Sequence, residues 1–155
     1  MGLEALRKID LFHNLNSVQL AHLASITEER SVPKGTVLFR EGDAPEMFYI
    51  IGEGRVRISK EVPGIGEEAL AIVNAGSYFG EMEIIDDQLP RAAMAVAHEN
   101  CTLHVIKIAD FHTLLGTDNE LALALLWSIV RTLASRLRAT NDKVTAMFAM
   151  AQFGN

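Results

Sequence analysis

Leu3, Leu6, Ile9 and Leu11, then Leu20, Leu23, Ala24 and Ile26, recur at intervals near 3.6 residues, the period of a helix that buries one face. The pattern predicts helix over residues 3–30, broken near Asn16 or Ser17, either of which can cap a second segment by accepting from an amide of its first turn. From Ser31 the period changes. Runs rich in Val, Ile, Phe and Tyr are separated by turn signals at Pro33-Lys34-Gly35, Gly42-Asp43, 52–54, Pro63-Gly64 and Ala75-Gly76. They predict strands at 36–39, 47–51, 55–59 and 68–73 and, after an interruption, at 93–97 and 102–108, with Gly42 and Gly54 serving turns. Many short strands at close spacing describe an antiparallel barrel or jelly roll.

Helical spacing returns at Ala109. Asp110 is placed to cap a short helix through Leu115, Gly116 to close it, and Asp118 or Asn119 to start a long one. Along that long helix Leu126, Ile129, Leu133, Leu137, Thr140, Val144, Met147 and Ala151 form a seam near the heptad pattern. A helix of roughly 30 residues reaches about 45 Å, farther than a small β-roll. The part from 121 to 129 is expected to pack on the chain's own strands, and the later half on a second copy, as a parallel dimer.

Composition narrows the function. At 155 residues the chain holds one domain with a proper core, burying roughly 70% of its unfolded surface. A net charge of −6 argues against a nucleic-acid surface, which needs a clustered basic face, so any anionic ligand must be drawn in by one local pocket. The single cysteine, Cys101, forms no internal disulfide and fits a reducing cytoplasm. The N-terminus lacks the apolar stretch of a signal peptide, and the longest apolar run, 121–127, is too short to span a bilayer. His13, His22, His98, His104 and His112 show no metal-ligand spacing and no paired nucleophile. Asp86 and Asp87 read as an exposed acidic turn. The expectation is a cytoplasmic, non-enzymatic protein without metal or cofactor.

The chemistry concentrates in Phe79-Gly80-Glu81-Met82-Glu83-Ile84-Ile85-Asp86-Asp87-Gln88-Leu89-Pro90-Arg91-Ala92-Ala93. A glycine lets the backbone approach a ligand closely, the next residues form one helical turn with unpaired amides at its start, and an arginine after a proline faces them. A guanidinium fork meeting such amides holds a phosphate between them. Glu81 accepts hydrogen bonds, which suits a hydroxyl donor such as a ribose 2′-OH. The combination asks for a sugar phosphate.

This stretch resembles the phosphate-binding cassette of the cyclic nucleotide-binding domain family, which includes the sensor domains of catabolite activators and of protein kinase A regulatory subunits. The similarity runs from about Leu11 to about Val144, with Phe39-Arg40-Glu41-Gly42-Asp43 and Phe48-Tyr49-Ile50-Ile51 resembling hairpin signatures. It implies a mainly β fold: an eight-stranded antiparallel, jelly-roll-like β-roll with N-terminal helices and a long C-terminal helix. The parts are a helical lead-in over 1–30, the roll over 31–115 with the cassette at 79–93, and the long helix over 116–155, one domain in all.

The resemblance also implies roles. Arg91 holds the cyclic phosphate with the amides of Gly80, Glu83 and Ala92, Glu81 holds the ribose 2′-OH, and Phe79 and Met82 complete the cassette. Members that prefer cGMP commonly carry Thr or Ser at the place of Ala92, so this chain tilts toward cAMP, with cGMP the other candidate. The run 135–144 resembles the stretch of the catabolite activators that contacts adenine from two subunits, which places Thr140 and Asn141 at the base; a polar break in the seam is the other reading of Thr140. At position 83 the family usually carries a small residue. A carboxylate turned inward would oppose the ligand by nearly 4 kcal/mol at about 4 Å and an effective dielectric near 20, so Glu83 is expected to face outward.

The expected function is a cyclic nucleotide sensor, dimeric through its C-terminal helix and signalling to an unidentified output protein. The rival is a roll without ligand that serves as a dimerisation or docking module. Transcription factors of the family continue into a helix-turn-helix, and this chain stops at Asn155, so direct DNA binding is not expected; the output is a separate protein, or the chain is a fragment of a longer one.

Overall fold

The structure, a computed structural model, describes residues 3–86 and 88–154. Helix α1 (Leu3–Arg7), a 3-10 turn (Asp10–Phe12) and α2 (Ser17–Ser25) form the lead-in. Asn16 caps α2 reciprocally: its side chain accepts from the Gln19 amide at 2.9 Å while the Gln19 side chain accepts from the Asn16 amide at 2.9 Å. The strands are β1 (Thr27–Val32), β2 (Val37–Phe39), β3 (Met47–Glu53), β4 (Arg55–Val62), β5 (Gly66–Asn74), β6 (Tyr78–Phe79), β7 (Met94–Ala97) and β8 (Cys101–Lys107). The short α3 (Met82–Ile85) lies between β6 and β7, and α4 (Ile108–Thr117) and α5 (Asn119–Phe153) follow.

Among the described residues the strands make two four-stranded antiparallel sheets, ordered β1-β8-β3-β6 and β2-β7-β4-β5. This is the eight-stranded roll. The central strand β3 explains its run of apolar residues by facing two cores at once. Tyr49 and Ile51 point between the sheets, with Val56, Phe79, Leu103 and Val105. Phe48 and Ile50 point the other way, into a layer of helices carrying Phe12, Leu20, Phe111, Leu121, Leu125 and Ile129. Gly54 turns β3 into β4 at φ +86°, where a Cβ would lie 2.5 Å from the Asn100 carbonyl.

Three local expectations are corrected and a fourth holds. Helix does not persist to residue 30: β1 begins at Thr27, because pairing of 27–32 with β8 outweighs the helical preference of Glu28, Glu29 and Arg30. The two-residue β6, paired with β3 through Tyr78 and Phe79, was not expected at all. Asp110 does not cap α4, which starts at Ile108 with Lys107 at the cap position and runs through Gly116. Asp118 does cap α5, its Oδ1 accepting from the Leu121 amide at 3.0 Å.

Helix α5 has 35 residues, about 52 Å at 1.5 Å each. Its first third docks through Leu121, Leu125 and Ile129, leaving Leu126 to one side of the buried face. Beyond Leu133 the apolar side chains of Leu137, Val144, Met147, Phe148, Met150 and Phe153 are exposed. No helix among the described residues is long and apolar enough to cross a membrane.

Under α1, Lys8, Glu29, Glu53 and His104 line a cleft of about 560 Å³ on the outer face of the first sheet. Burial pushes the His104 imidazole below its ordinary value, opposed in part by Glu29, whose carboxylate lies 3.9 Å away. The folded chain therefore binds this proton more weakly than the unfolded chain. The stability it contributes is full above the unfolded value near 6.5 and drains away as pH falls through the lower folded value. Urea unfolding across this range should show the wild-type midpoint falling on acidification, and His104→Gln should flatten the fall.

Candidate ligand-binding site

Between β6 and β7 the chain leaves the sheets, and four charged side chains meet there. Gly80 opens the excursion at φ +81°, a conformation other residues avoid, and a Cβ there would sit 2.8 Å from Arg91 Nη1. Glu81 occupies the cap position of α3 but makes no cap hydrogen bond with its side chain. At the far end, the Arg91 backbone is pinned by the 40–43 turn: its amide donates to Asp43 O at 2.8 Å and its carbonyl accepts from Gly42 N at 2.9 Å. The turn, rather than Pro90 alone, fixes where Arg91 points.

Arg91 is 3% exposed, and its guanidinium lies 4.1 Å over the Phe39 ring. Its Nη2 donates to the Met47 carbonyl and its Nη1 to Glu83 Oε2 at 3.0 Å, while Nε is buried without a partner. Glu83 therefore turns inward, against expectation. The reason is charge: a buried guanidinium next to the first turn of α3 demands a counter-ion, and Glu83 is the carboxylate that reaches it. Breaking such a buried pair by removing one member costs about 3–5 kcal/mol, because the other charge is left unpaired.

Glu81 is buried as well and is held by an arginine from α5. Arg136 Nη1 pairs with Glu81 Oε1, its Nη2 donates to Tyr78 O at 2.8 Å, and its guanidinium lies over the Tyr78 ring. Burial pushes the Tyr49 and Tyr78 phenols up. Phe79, Gly80, Glu81, Met82, Glu83, Ala92 and Arg136 line a cleft of about 110 Å³ whose lining does not include Arg91.

A model described as the cyclic nucleotide-binding domain matches residues 29–118. The chain belongs to this family. The cyclic AMP receptor protein of Thermus thermophilus is 32% identical over 105 residues, covering 68% of this chain and 48% of that protein. The mouse cGMP-dependent protein kinase 2 is 30% identical over 118 residues, covering 75% of this chain and 15% of that protein. A solved cyclic nucleotide-binding domain from Methylobacillus flagellatus superposes with a TM-score of 0.80 at 29% identity, covering 92% of this chain and 80% of that one. The chain spans less than half the length of these two curated relatives.

In this cyclic nucleotide-binding domain the structure brings Phe79, Gly80, Glu81, Met82, Glu83, Arg91 and Ala92 together. Phe79 is buried, stacked on Tyr49 with ring centroids 5.0 Å apart, while Met82 and Ala92 are exposed. Thr140 and Asn141 are not brought to the cleft of the protomer: both are exposed on α5, with the Thr140 hydroxyl donating to Arg136 O at 3.0 Å. Asp86 is exposed at the end of α3, and Asp87 lies outside the described residues. Among the described residues no three His, Cys, Asp or Glu are placed to hold a metal ion. Arg136, Phe39 and the Met47 carbonyl are the contributors that sequence reasoning missed. The one available signal was Arg136 itself, a charge one helical turn before Thr140 on the long helix.

Arg136→Ala leaves Glu81 buried without its cation. It should lower stability by about 1–3 kcal/mol in urea unfolding and speed amide exchange in α5 from residue 133 onward relative to 121–129.

Proposed function

We propose that this domain binds a cyclic nucleotide, cAMP in preference to cGMP, and reports occupancy through α5. Arg91 takes the cyclic phosphate with the amides of Gly80, Glu83 and Ala92, Glu81 takes the ribose 2′-OH, and Phe79 and Met82 flank the sugar. One observation carries the reading: a guanidinium buried beside the only close-approach glycine of the cassette keeps an unpaired Nε donor, which is what a second phosphate oxygen requires. Ala92 offers no hydroxyl to a guanine amino group, which favours cAMP.

Signalling follows from sharing. Glu81, the proposed sugar ligand, is held by Arg136 of α5, so a ribose hydroxyl on Glu81 changes what holds the helix. As α5 shifts, Thr140 and Asn141, one turn beyond Arg136, come over the base of their own protomer or of its partner. The exposed Leu137, Val144 and Met147 supply the stripe for a homodimer, and an output protein reads the helix. The working unit is the lead-in, the roll and the long helix together, acting in the cytoplasm as a regulator with no catalytic step of its own. A second reading, a docking module that no longer takes nucleotide, is favoured by the Glu83–Arg91 pair that closes the site.

Calorimetric titration of the purified chain should give cAMP binding tighter than cGMP binding, and Arg91→Ala should weaken it by about 2–5 kcal/mol. Retained partner binding and dimerisation with no nucleotide response in either protein would establish the docking module instead. Sedimentation should show a dimer that Leu137→Asp combined with Met147→Asp converts to monomer.

A further inference from the structure

The cleft beside Glu81 holds about 110 Å³, whereas pockets that take small ligands run to roughly 300–1,000 Å³. Two ion-paired side chains of the chain itself line it: Arg136, on Glu81, and Glu83, on Arg91. Glu83 is the unusual one. Its carboxylate oxygen stands 3.0 Å from Arg91 Nη1, with both side chains more than nine-tenths buried, and Glu83 lines the cleft while Arg91 does not. A carboxylate on a guanidinium is the nearest a protein side chain comes to a phosphate oxygen in charge and acceptor geometry.

We propose that Glu83 is a resident counter-ion that occupies the phosphate's place on Arg91 and is expelled by the ligand, so that this side chain sets the nucleotide concentration at which the domain responds. The inference rests on the cyclic nucleotide reading above. A phosphodiester and Glu83 cannot share Arg91, since two buried anions on one cation leave an uncompensated charge. Arg91 keeps its aim in either state, because the Met47 carbonyl, the Phe39 ring and the 40–43 turn hold it independently of Glu83. Glu83 is the member that moves. It sits in the four-residue α3, and its neighbour Ile84 presents a carbonyl 2.6 Å from His112 Nε2 of α4. Expelling Glu83 therefore turns a segment that is tied to the helical layer, which gives nucleotide entry a second route to the helices besides Glu81 and Arg136.

The competition has a measurable size. If the form with Arg91 uncovered is populated at roughly 1–10%, apparent affinity is reduced by the same fraction. Glu83→Ala should then bind cAMP, or whichever of cAMP and cGMP the wild type prefers, about 10–100-fold more tightly. Glu83→Gln, which fills the same space without the charge, should fall between. Calorimetry on all three proteins, each spanning residues 1–155, reads the affinities, and thermal scans with and without nucleotide read a second signature: both variants melt lower than wild type alone yet gain more from nucleotide. Should Glu83→Ala not fold, Glu83→Gln carries the test. Binding by a variant where the wild type shows none supports the proposal. Equal or weaker binding by folded variants, with Arg91→Ala still abolishing binding, overturns it and leaves the nucleotide reading standing. No binding by any protein with Arg91 uncovered overturns both.

Discussion

Taking a guanidinium out of water costs several kcal/mol unless charge and hydrogen bonds replace its hydration, and Arg91 is almost entirely buried. Much of the site can be understood as the answer to that demand. The Met47 carbonyl comes from the start of β3, the Phe39 ring from the end of β2, the Glu83 carboxylate from α3, and the backbone anchor from the 40–43 turn. One arginine thus fixes the stretch from Phe39 to Met47 against α3, which lies far from it in sequence. Gly80 is part of the same constraint, because any Cβ at that position would enter the space Arg91 Nη1 occupies.

The roll makes this possible by giving β3 two cores. Its inward residues hold the sheets together, its outward residues hold the helical layer, and Met47 at its first position delivers a carbonyl to the site. A shift of the helical layer is thus felt along the same strand that positions Arg91. Tyr78 in β6 belongs to this path too: its ring packs on Phe48 and its carbonyl accepts from Arg136.

Helix α5 divides at the point where it meets the site. Before Arg136 one face is docked through Leu121, Leu125 and Ile129 while Leu123, Trp127 and Val130 are exposed on the other, and after it Leu137, Val144, Met147, Phe148, Met150 and Phe153 are all exposed. Among the described residues, the ion pair of Arg136 with Glu81 is the last of the helix with the roll that involves a buried charge, and the large apolar side chains beyond it are available to other surfaces.

The turn glycines, the apolar runs of β3, β4, β5, β7 and β8, the Asn16 and Asp118 caps and the cassette from Phe79 to Arg91 were legible along the chain, because each depends on residues close in sequence. Strand β1 was not: Glu28, Glu29 and Arg30 carry no strand pattern, and only pairing with β8 makes them extended. Nor was β6, since two residues cannot display a period. The inward turn of Glu83 and the reach of Arg136 to Glu81 were decided by the tertiary structure alone. The sequence determined which residues carry charge and where the backbone can bend. Which cation each carboxylate would meet depended on burial, because only when β2, β3, α3 and α5 converge does an unpaired charge become costly enough to choose its partner.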